Sequence, residues 1–217
     1  MTTACSRTGW PAASPRRAAA AEALSDDVLI RRIANADQRA MRMLFARHRI
    51  AIYRWLVRLV GDEGLAEDLL SDVFFDVWRK ARSFEGRSSV STWLLAIARH
   101  KALSARRRTQ VERAVELDDE LAWTMADPAD NPELVLEKKD REQLLRRSLA
   151  RLSPEHGEVL DLTYYHGKSI KEIAEIVGIN EATVKSRTFY ARKRLAQLVA
   201  AAASPASHRL MSGSRHT

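Results

Sequence analysis

Between Thr183 and Arg194 the chain reads Thr183-Val184-Lys185-Ser186-Arg187-Thr188-Phe189-Tyr190-Ala191-Arg192-Lys193-Arg194, and from Lys185 onward it holds five basic side chains and no acid. Lysine and arginine pair with phosphate oxygens. Arginine forks and serine or threonine hydroxyls hydrogen-bond to base edges, and aromatic rings touch thymine methyls or stack on bases. Coiled into a helix, the segment places Val184, Thr188, Ala191 and Leu195 on one face. Thr183, Lys185, Ser186, Arg187, Phe189, Tyr190, Arg192 and Lys193 are then left for contact. The competing reading is a helical hairpin with a solvated basic face.

Catalytic chemistry finds no comparable cluster. The six histidines form no His-x-x-x-His or HExxH pair, and no P-loop or Rossmann glycine pattern is present. His156 and His166 are ten positions apart and read as flanking a helix rather than sharing a metal. The single cysteine, Cys5, excludes an internal disulfide and a cysteine-based zinc site. The expectation is a protein without catalytic residues, cofactor, metal or small-molecule substrate.

The elements that must hold the basic segment are marked by local signals. Ser169-Ile170-Lys171-Glu172 matches a capping box, in which serine and glutamate each satisfy an orphan N–H at a helix start. That helix has Ile170, Ile173, Ala174 and Val177 inward and stops at Gly178. Asn180 caps the next one. Two helices joined by a turn of Gly178, Ile179 and Asn180 read as a helix-turn-helix. Gly178 permits the backbone reversal, Ile179 fills the corner, and the small Ala174 allows a steep crossing. Upstream, Ser153-Pro154 predicts an N-cap and first-turn proline for a helix that runs to Gly167.

In the first half, Ser25 caps a short helix carrying Val28, Leu29, Ile30 and Ile33, and Asp37 opens a longer one with Met41, Leu44, Phe45, Ile52, Leu56 and Leu59 inward, stopped by Gly61. A third helix, from about Gly64 to Ala81, has a wide apolar face made by Leu65, Leu69, Val73 and Val77 beside Ala66, Leu70, Phe74 and Trp78. Its opposite face is an acidic ridge with a basic end: Glu67, Asp68, Asp72, Asp76 and Arg79. After the polar loop Glu85 to Ser89, a fourth helix spans about Val90 to Arg108, with Trp93, Leu94, Ile97, Ala98 and Leu103 inward. It ends on Arg106-Arg107-Arg108.

The chain has 217 residues, with 36 Lys+Arg against 28 Asp+Glu, and few glycines and prolines, 8 and 6. This composition favours helices over barrels and sandwiches. No apolar run approaches the roughly 20 residues of a membrane span. The segment Glu116 to Glu137 holds eight acids and no Lys or Arg, so the remainder carries 36 basic against 20 acidic residues, a net +16 where the whole chain has +8. The fold expected is all-α, two small helical domains joined by a flexible acidic linker, the C-terminal one containing the helix-turn-helix. The divisions are a disordered arm at 1–24, a first domain at 25–110, a linker at 111–138 with a short helix near Leu121 to Met125, a second domain at 139–199 and a disordered tail at 200–217. A weak secretion signal is the lesser reading of the arm.

Taken together and in order, these motifs resemble the extracytoplasmic-function (ECF) group of sigma-70-type transcription initiation factors. The run Ala66-Glu67-Asp68-Leu69-Leu70-Ser71-Asp72-Val73-Phe74-Phe75-Asp76-Val77-Trp78 is similar to that family's helix for binding core RNA polymerase. Phe84, the loop after it and Ser91 to His100 resemble its promoter-melting segment, with His100 where relatives more often carry Asn. Ser169 to Leu195 resembles its helix-turn-helix for the minus-thirty-five element. The resemblance implies polymerase contacts at Glu67, Asp68, Asp72, Asp76 and Arg79. It implies minus-ten contacts at Phe84, Arg87, Ser88, Arg99, His100, Lys101, Arg106 and Arg107, where a base is flipped from the duplex, and minus-thirty-five contacts from Thr183 to Lys193. It also implies core RNA polymerase, promoter DNA and an anti-sigma factor as partners, and a bacterial cytoplasmic location. The alternative class is a stand-alone helix-turn-helix regulator.

Overall fold

The computed structural model describes residues 25–113, 144–145 and 147–203, all of whose regular structure is helical. Helices α1 (Asp26–Ala34), α2 (Gln38–Val60), α3 (Glu63–Lys80) and α4 (Val90–Arg113) form the N-terminal part, with a 3₁₀ turn at Ala81–Ser83 after α3. Helices α5 (Pro154–Tyr164), α6 (Ile170–Val177) and α7 (Glu181–Ala203) form the C-terminal part, preceded by helical residues at 144–145 and 147–150.

Side chains and glycines delimit these helices as the local signals predict. Ser25, Asp37 and Asp62 accept first-turn N–H bonds at the starts of α1, α2 and α3. Gly61 ends α2 at φ 72°, in the left-handed region where a side chain would be strained. Two ends run further than expected. α4 continues to Arg113, past Arg108, because no Gly or Pro follows to break it, and so takes in residues assigned to the linker. α7 reaches Ala203, since alanine has the highest helix propensity, which removes 200–203 from the expected tail. α5 ends earlier, at Tyr164. Gly167 instead holds positive φ in the turn to α6, and Ser153 has cap-like backbone angles but no side-chain cap bond. The expected helix near Leu121 to Met125 and the rest of the arm, linker and tail lie outside the described residues.

Packing follows the amphipathic faces. α2 lies against α1, α3 and α4, and α3 against α4. Between them Leu29, Ile30, Ile33, Leu44, Ile52, Trp55, Leu56, Val73, Val77, Leu94 and Ala98 are fully or almost fully buried. On α4 the buried set is Val90, Thr92, Leu94, Leu95, Ala98 and Ala102. Trp93, Ile97 and Leu103 are half-buried, a face rotated slightly from the one predicted. α5 and α6 pack on α7, burying Val159, Leu160, Leu162, Ile173, Val177, Val184 and Ala191. The two parts also touch: α6 lies against α4, and three charged residues, Arg58, Glu158 and Asp161, are buried.

Candidate nucleic-acid interface

The C-terminal surface starts from the capping box. Ser169 Oγ accepts from Glu172 N, and Glu172 Oε2 accepts from Ser169 N at 3.0 Å, fixing the start of α6. At the other end Gly178, at φ 74°, donates its N–H to Ala174 O, and Ile179 N–H reaches the same carbonyl at 3.2 Å. Asn180 Oδ1 then accepts from Thr183 N at 2.7 Å and starts α7. This chain of caps sets the angle between α6 and α7, and so aims the outer face of α7.

That face is exposed and basic. Lys185, Ser186, Phe189, Tyr190, Arg192 and Lys193 are solvent-exposed, with Phe189 at 63% and Tyr190 at 58%, unusual for large aromatic residues. Their rings meet edge to face at 5.4 Å between centroids, which holds both outward. Arg192 lies over the Tyr164 ring at 5.5 Å. Arg187 is half-buried and tied to Glu155 of α5 at 3.0 Å, so its guanidinium is already oriented. The Thr183 hydroxyl donates to Asn180 Oδ1 at 2.8 Å and the Ser186 hydroxyl to Ala182 O at 3.0 Å, so each points back along the helix.

The N-terminal candidates gather around the loop before α4. Phe84 packs on Trp93 at 5.0 Å between centroids, which anchors the loop to the helix. Arg87 is highly exposed and pairs with Glu85 at 2.8 Å. Ser88 and Arg106 are half-buried, whereas His100 and Arg107 are exposed. Two further predicted cations also have carboxylate partners. Arg99 contacts Glu158 of α5 at 2.5 and 3.3 Å. Lys101 lies 3.5 Å from Asp72 and 3.4 Å from Asp76, joining the minus-ten and polymerase-binding sets that the sequence separates.

On the acidic ridge Glu67, Asp68, Asp72 and Arg79 are exposed. Asp76 is half-buried. Its burial disfavours the charged form, but hydrogen bonds and charge from Lys80 and Lys101 outweigh this and hold the carboxyl below its usual range. Phe75, 58% exposed with Arg79 at 5.7 Å over its ring, lies on this surface and is absent from the sequence-derived set. The inward stripe of Ala66, Leu70, Phe74 and Trp78 already leaves Phe75 outward in the sequence, but the set is drawn from charged side chains alone.

The residues that sequence reasoning missed altogether lie between the two parts. Lys168 Nζ donates to Ser91 Oγ at 2.6 Å and Thr92 Oγ1 at 3.0 Å, and Thr92 Oγ1 donates to Glu172 Oε1 at 2.6 Å. Arg58 pairs with Asp161 in full burial. Burial opposes the charge on Glu172, yet hydrogen bonds from Thr92, Ser169 and Lys168 lower its pKa from 4.5 to about 2. The available signal was Arg58 itself, a lone charge within the apolar run Trp55 to Val60.

Among the described residues no helix is long and apolar enough to cross a membrane, and no group of three His, Cys, Asp or Glu side chains is placed to hold a metal. Two family descriptions match the chain: Sigma-70 region 2 over residues 44–112 and Sigma-70, region 4 over residues 142–195. The chain is 31% identical over 163 residues to the ECF RNA polymerase sigma factor SigL of Mycobacterium tuberculosis (strain H37Rv), covering 75% of this chain and 90% of that protein. It is 30% identical over 167 residues to the ECF RNA polymerase sigma factor SigK of Mycobacterium sp. (strain KMS), covering 74% and 83%. Among solved structures it resembles the sigma factor RpoE of Bartonella quintana, crystallised with the anti-sigma factor NepR, at 26% identity and a TM-score of 0.59 over 73% of this chain and 95% of that one. CnrH, solved in complex with the cytosolic domain of CnrY, shares the fold at 23% identity and a TM-score of 0.58 over 81% and 97%.

Proposed function

The chain belongs to the ECF family of RNA polymerase sigma factors, and we propose that its individual surfaces divide the work of promoter recognition in the following way. Residues 139–199 form the domain that reads the minus-thirty-five element, with α7 in the major groove. There Lys185, Arg192 and Lys193 hold phosphates, while Arg187, Phe189 and Tyr190 reach base edges and thymine methyls. Residues 25–110 form the domain that binds core polymerase and melts the minus-ten element. The α3 ridge of Glu67, Asp68, Asp72, Asp76 and Arg79 docks on the polymerase, joined by the exposed Phe75. The loop from Glu85 to Ser89, with Phe84, Arg99, His100, Lys101, Arg106 and Arg107, receives the opened strand.

The observation that carries this reading is the exposed aromatic and basic face of α7, held at a fixed angle by the caps at Ser169, Gly178 and Asn180. Base flipping requires that the pocket return a few kcal/mol of stacking and pairing energy, and the polymerase supplies the bond-making chemistry. The same reading makes the protein cytoplasmic. It also gives it an anti-sigma partner, as in the solved complex of RpoE with the anti-sigma factor NepR.

Run-off transcription with purified core polymerase tests the proposal. A promoter-specific transcript is expected that is lost when Lys185, Arg187 and Arg192 are replaced together. Persistence of that transcript in the triple variant would refute the minus-thirty-five assignment.

A further inference from the structure

We infer that Glu155, a residue of α5 outside the helix-turn-helix, determines specificity for the minus-thirty-five element: it holds Arg187 in its base-reading pose and repels DNA that does not offer Arg187 the right base. The inference rests on the base-edge role of Arg187 proposed above. Glu155 Oε2 lies 3.0 Å from Arg187 Nη2, and among the described residues it is the one carboxylate that pairs with a cation of the α7 face. Lys185, Arg192 and Lys193 are exposed on that face without an acidic partner. The other α5 side chain that meets it, Tyr164 beneath Arg192 at 5.5 Å, is uncharged. An acid in the first turn of α5 is favoured by the helix dipole wherever its side chain points. The dipole accounts for an acid at position 155. It does not account for the pairing of that acid with the one α7 arginine that is half-buried and so restricted in direction.

Exposure decides between a role in stability and a role in orientation. The Glu155 side chain is 63% exposed and that of Arg187 24%, so water screens the pair and it adds little to the stability of the fold. Orientation does not depend on that margin. A guanidinium presents its N–H donors in a rigid planar fork, and a carboxylate that takes one edge fixes the plane in which the others point. The commonest specific contact of arginine with DNA is bidentate, to guanine O6 and N7, and it needs that plane to coincide with the plane of the base pair. Ordering the side chain beforehand removes a cost that a free arginine would meet on the duplex. The same carboxylate also opposes binding. It is carried with Arg187 into the negative field of the DNA and repels every sequence alike. Selectivity is a difference between affinities, and a repulsive group that only the correct partner offsets widens it. On a guanine edge the oriented fork makes both hydrogen bonds against the repulsion; on another base the bonds are lost and the repulsion stays.

The test uses holoenzyme assembled from purified core polymerase and the full-length chain. Its substrates are a promoter fragment that supports run-off transcription and a set in which each base pair of the minus-thirty-five element is replaced in turn. Parent, Glu155→Gln, Arg187→Ala and the double variant are compared by competition binding, with unrelated duplex DNA as the non-specific reference. Arg187→Ala should erase discrimination at one base pair, the one that Arg187 reads. Glu155→Gln keeps the shape and removes the charge, and it should lower discrimination at that same base pair by roughly fivefold and leave the other positions unchanged. Affinity for unrelated DNA should rise by about two- to threefold in Glu155→Gln, because a repulsive charge is gone. In the double variant, discrimination should equal that of Arg187→Ala alone. A merely structural role for Glu155 would lower binding at every position together, and urea unfolding of Glu155→Gln reports any such loss of fold. Unchanged discrimination in Glu155→Gln, or a uniform loss at all positions, would overturn the role of Glu155 and leave that of Arg187 standing. Absence of any positional effect of Arg187→Ala would overturn the base-edge reading on which both depend.

Discussion

Replacing Glu172 with glutamine removes one negative charge and leaves the shape unchanged, at a carboxylate that accepts five hydrogen bonds: from Thr92, Ser89, Lys168 and both the N–H and the hydroxyl of Ser169. Its pKa of about 2, against 4.5 for the ordinary group, sets the scale. A difference of roughly 2.5 units at about 1.4 kcal/mol per unit corresponds to about 3 kcal/mol of stability from the charged form. The capping box accounts for about 1 kcal/mol of this, leaving the larger part for contacts with Lys168 and the residues of α4. Because the folded pKa lies below the unfolded one, the contribution is complete above about pH 5 and is lost as pH falls through 4.5 toward 2. Urea unfolding of the parent and Glu172→Gln should differ by about 2–3 kcal/mol at pH 7 and by less than half of that at pH 3. Titrations of every other group cancel in the comparison. A stability gap that stayed constant from pH 7 to pH 3 would show that the charge on Glu172 does not hold these elements together.

Three further substitutions examine the interface itself. Arg187→Ala should weaken binding to a cognate minus-thirty-five duplex by about 1–3 kcal/mol while leaving non-specific DNA nearly unaffected; equal loss on both in fluorescence anisotropy would make Arg187 a phosphate contact instead. Gly178→Ala meets no neighbour within 4 Å, so its cost comes from the backbone at φ 74° alone, about 1–2 kcal/mol in thermal or urea unfolding. Asp72→Asn with Asp76→Asn should reduce core-polymerase affinity at least tenfold at low salt, with an effect that shrinks as ionic strength rises; a salt-independent loss would indicate misfolding of α3, visible by circular dichroism.

Local chemistry made much of this fold legible. Ser25, Asp37, Gly61, Ser169, Gly178 and Asn180 act within a few residues of themselves, and each forms in the structure the cap or turn that its type and position predict. Helix ends are less legible: α4 runs on to Arg113 where no Gly or Pro stops it, and α5 stops at Tyr164, short of Gly167, which holds positive φ in the turn that follows. The α4 face drifted for a related reason: Ala102 is buried where Leu103 was expected, because alternatives one position apart differ by about 100° around the helix and packing partners choose between them. Contacts between the two parts were invisible to any periodic pattern. Arg58 and Asp161 are 103 positions apart, and nothing in either neighbourhood names the other.

Glu172 shows why the two levels are hard to separate. The residue type that a capping box requires three positions after Ser169 is also an acceptor aimed at Thr92 of α4, so one carboxylate satisfies a local rule and a distant one. The same duality bears on the charged contacts between the two parts. A buried ion pair gains less than its Coulomb energy suggests, because both charges give up water, so such a joint holds by geometry and hydrogen bonding more than by net attraction. Arg99 goes further, since the Glu158 carboxylate it holds in the structure and the DNA phosphate proposed for it are both anions. Arg58 and Asp161, by contrast, are the pair with the least exposure and no proposed second partner, so removing either one alone leaves a buried charge uncompensated.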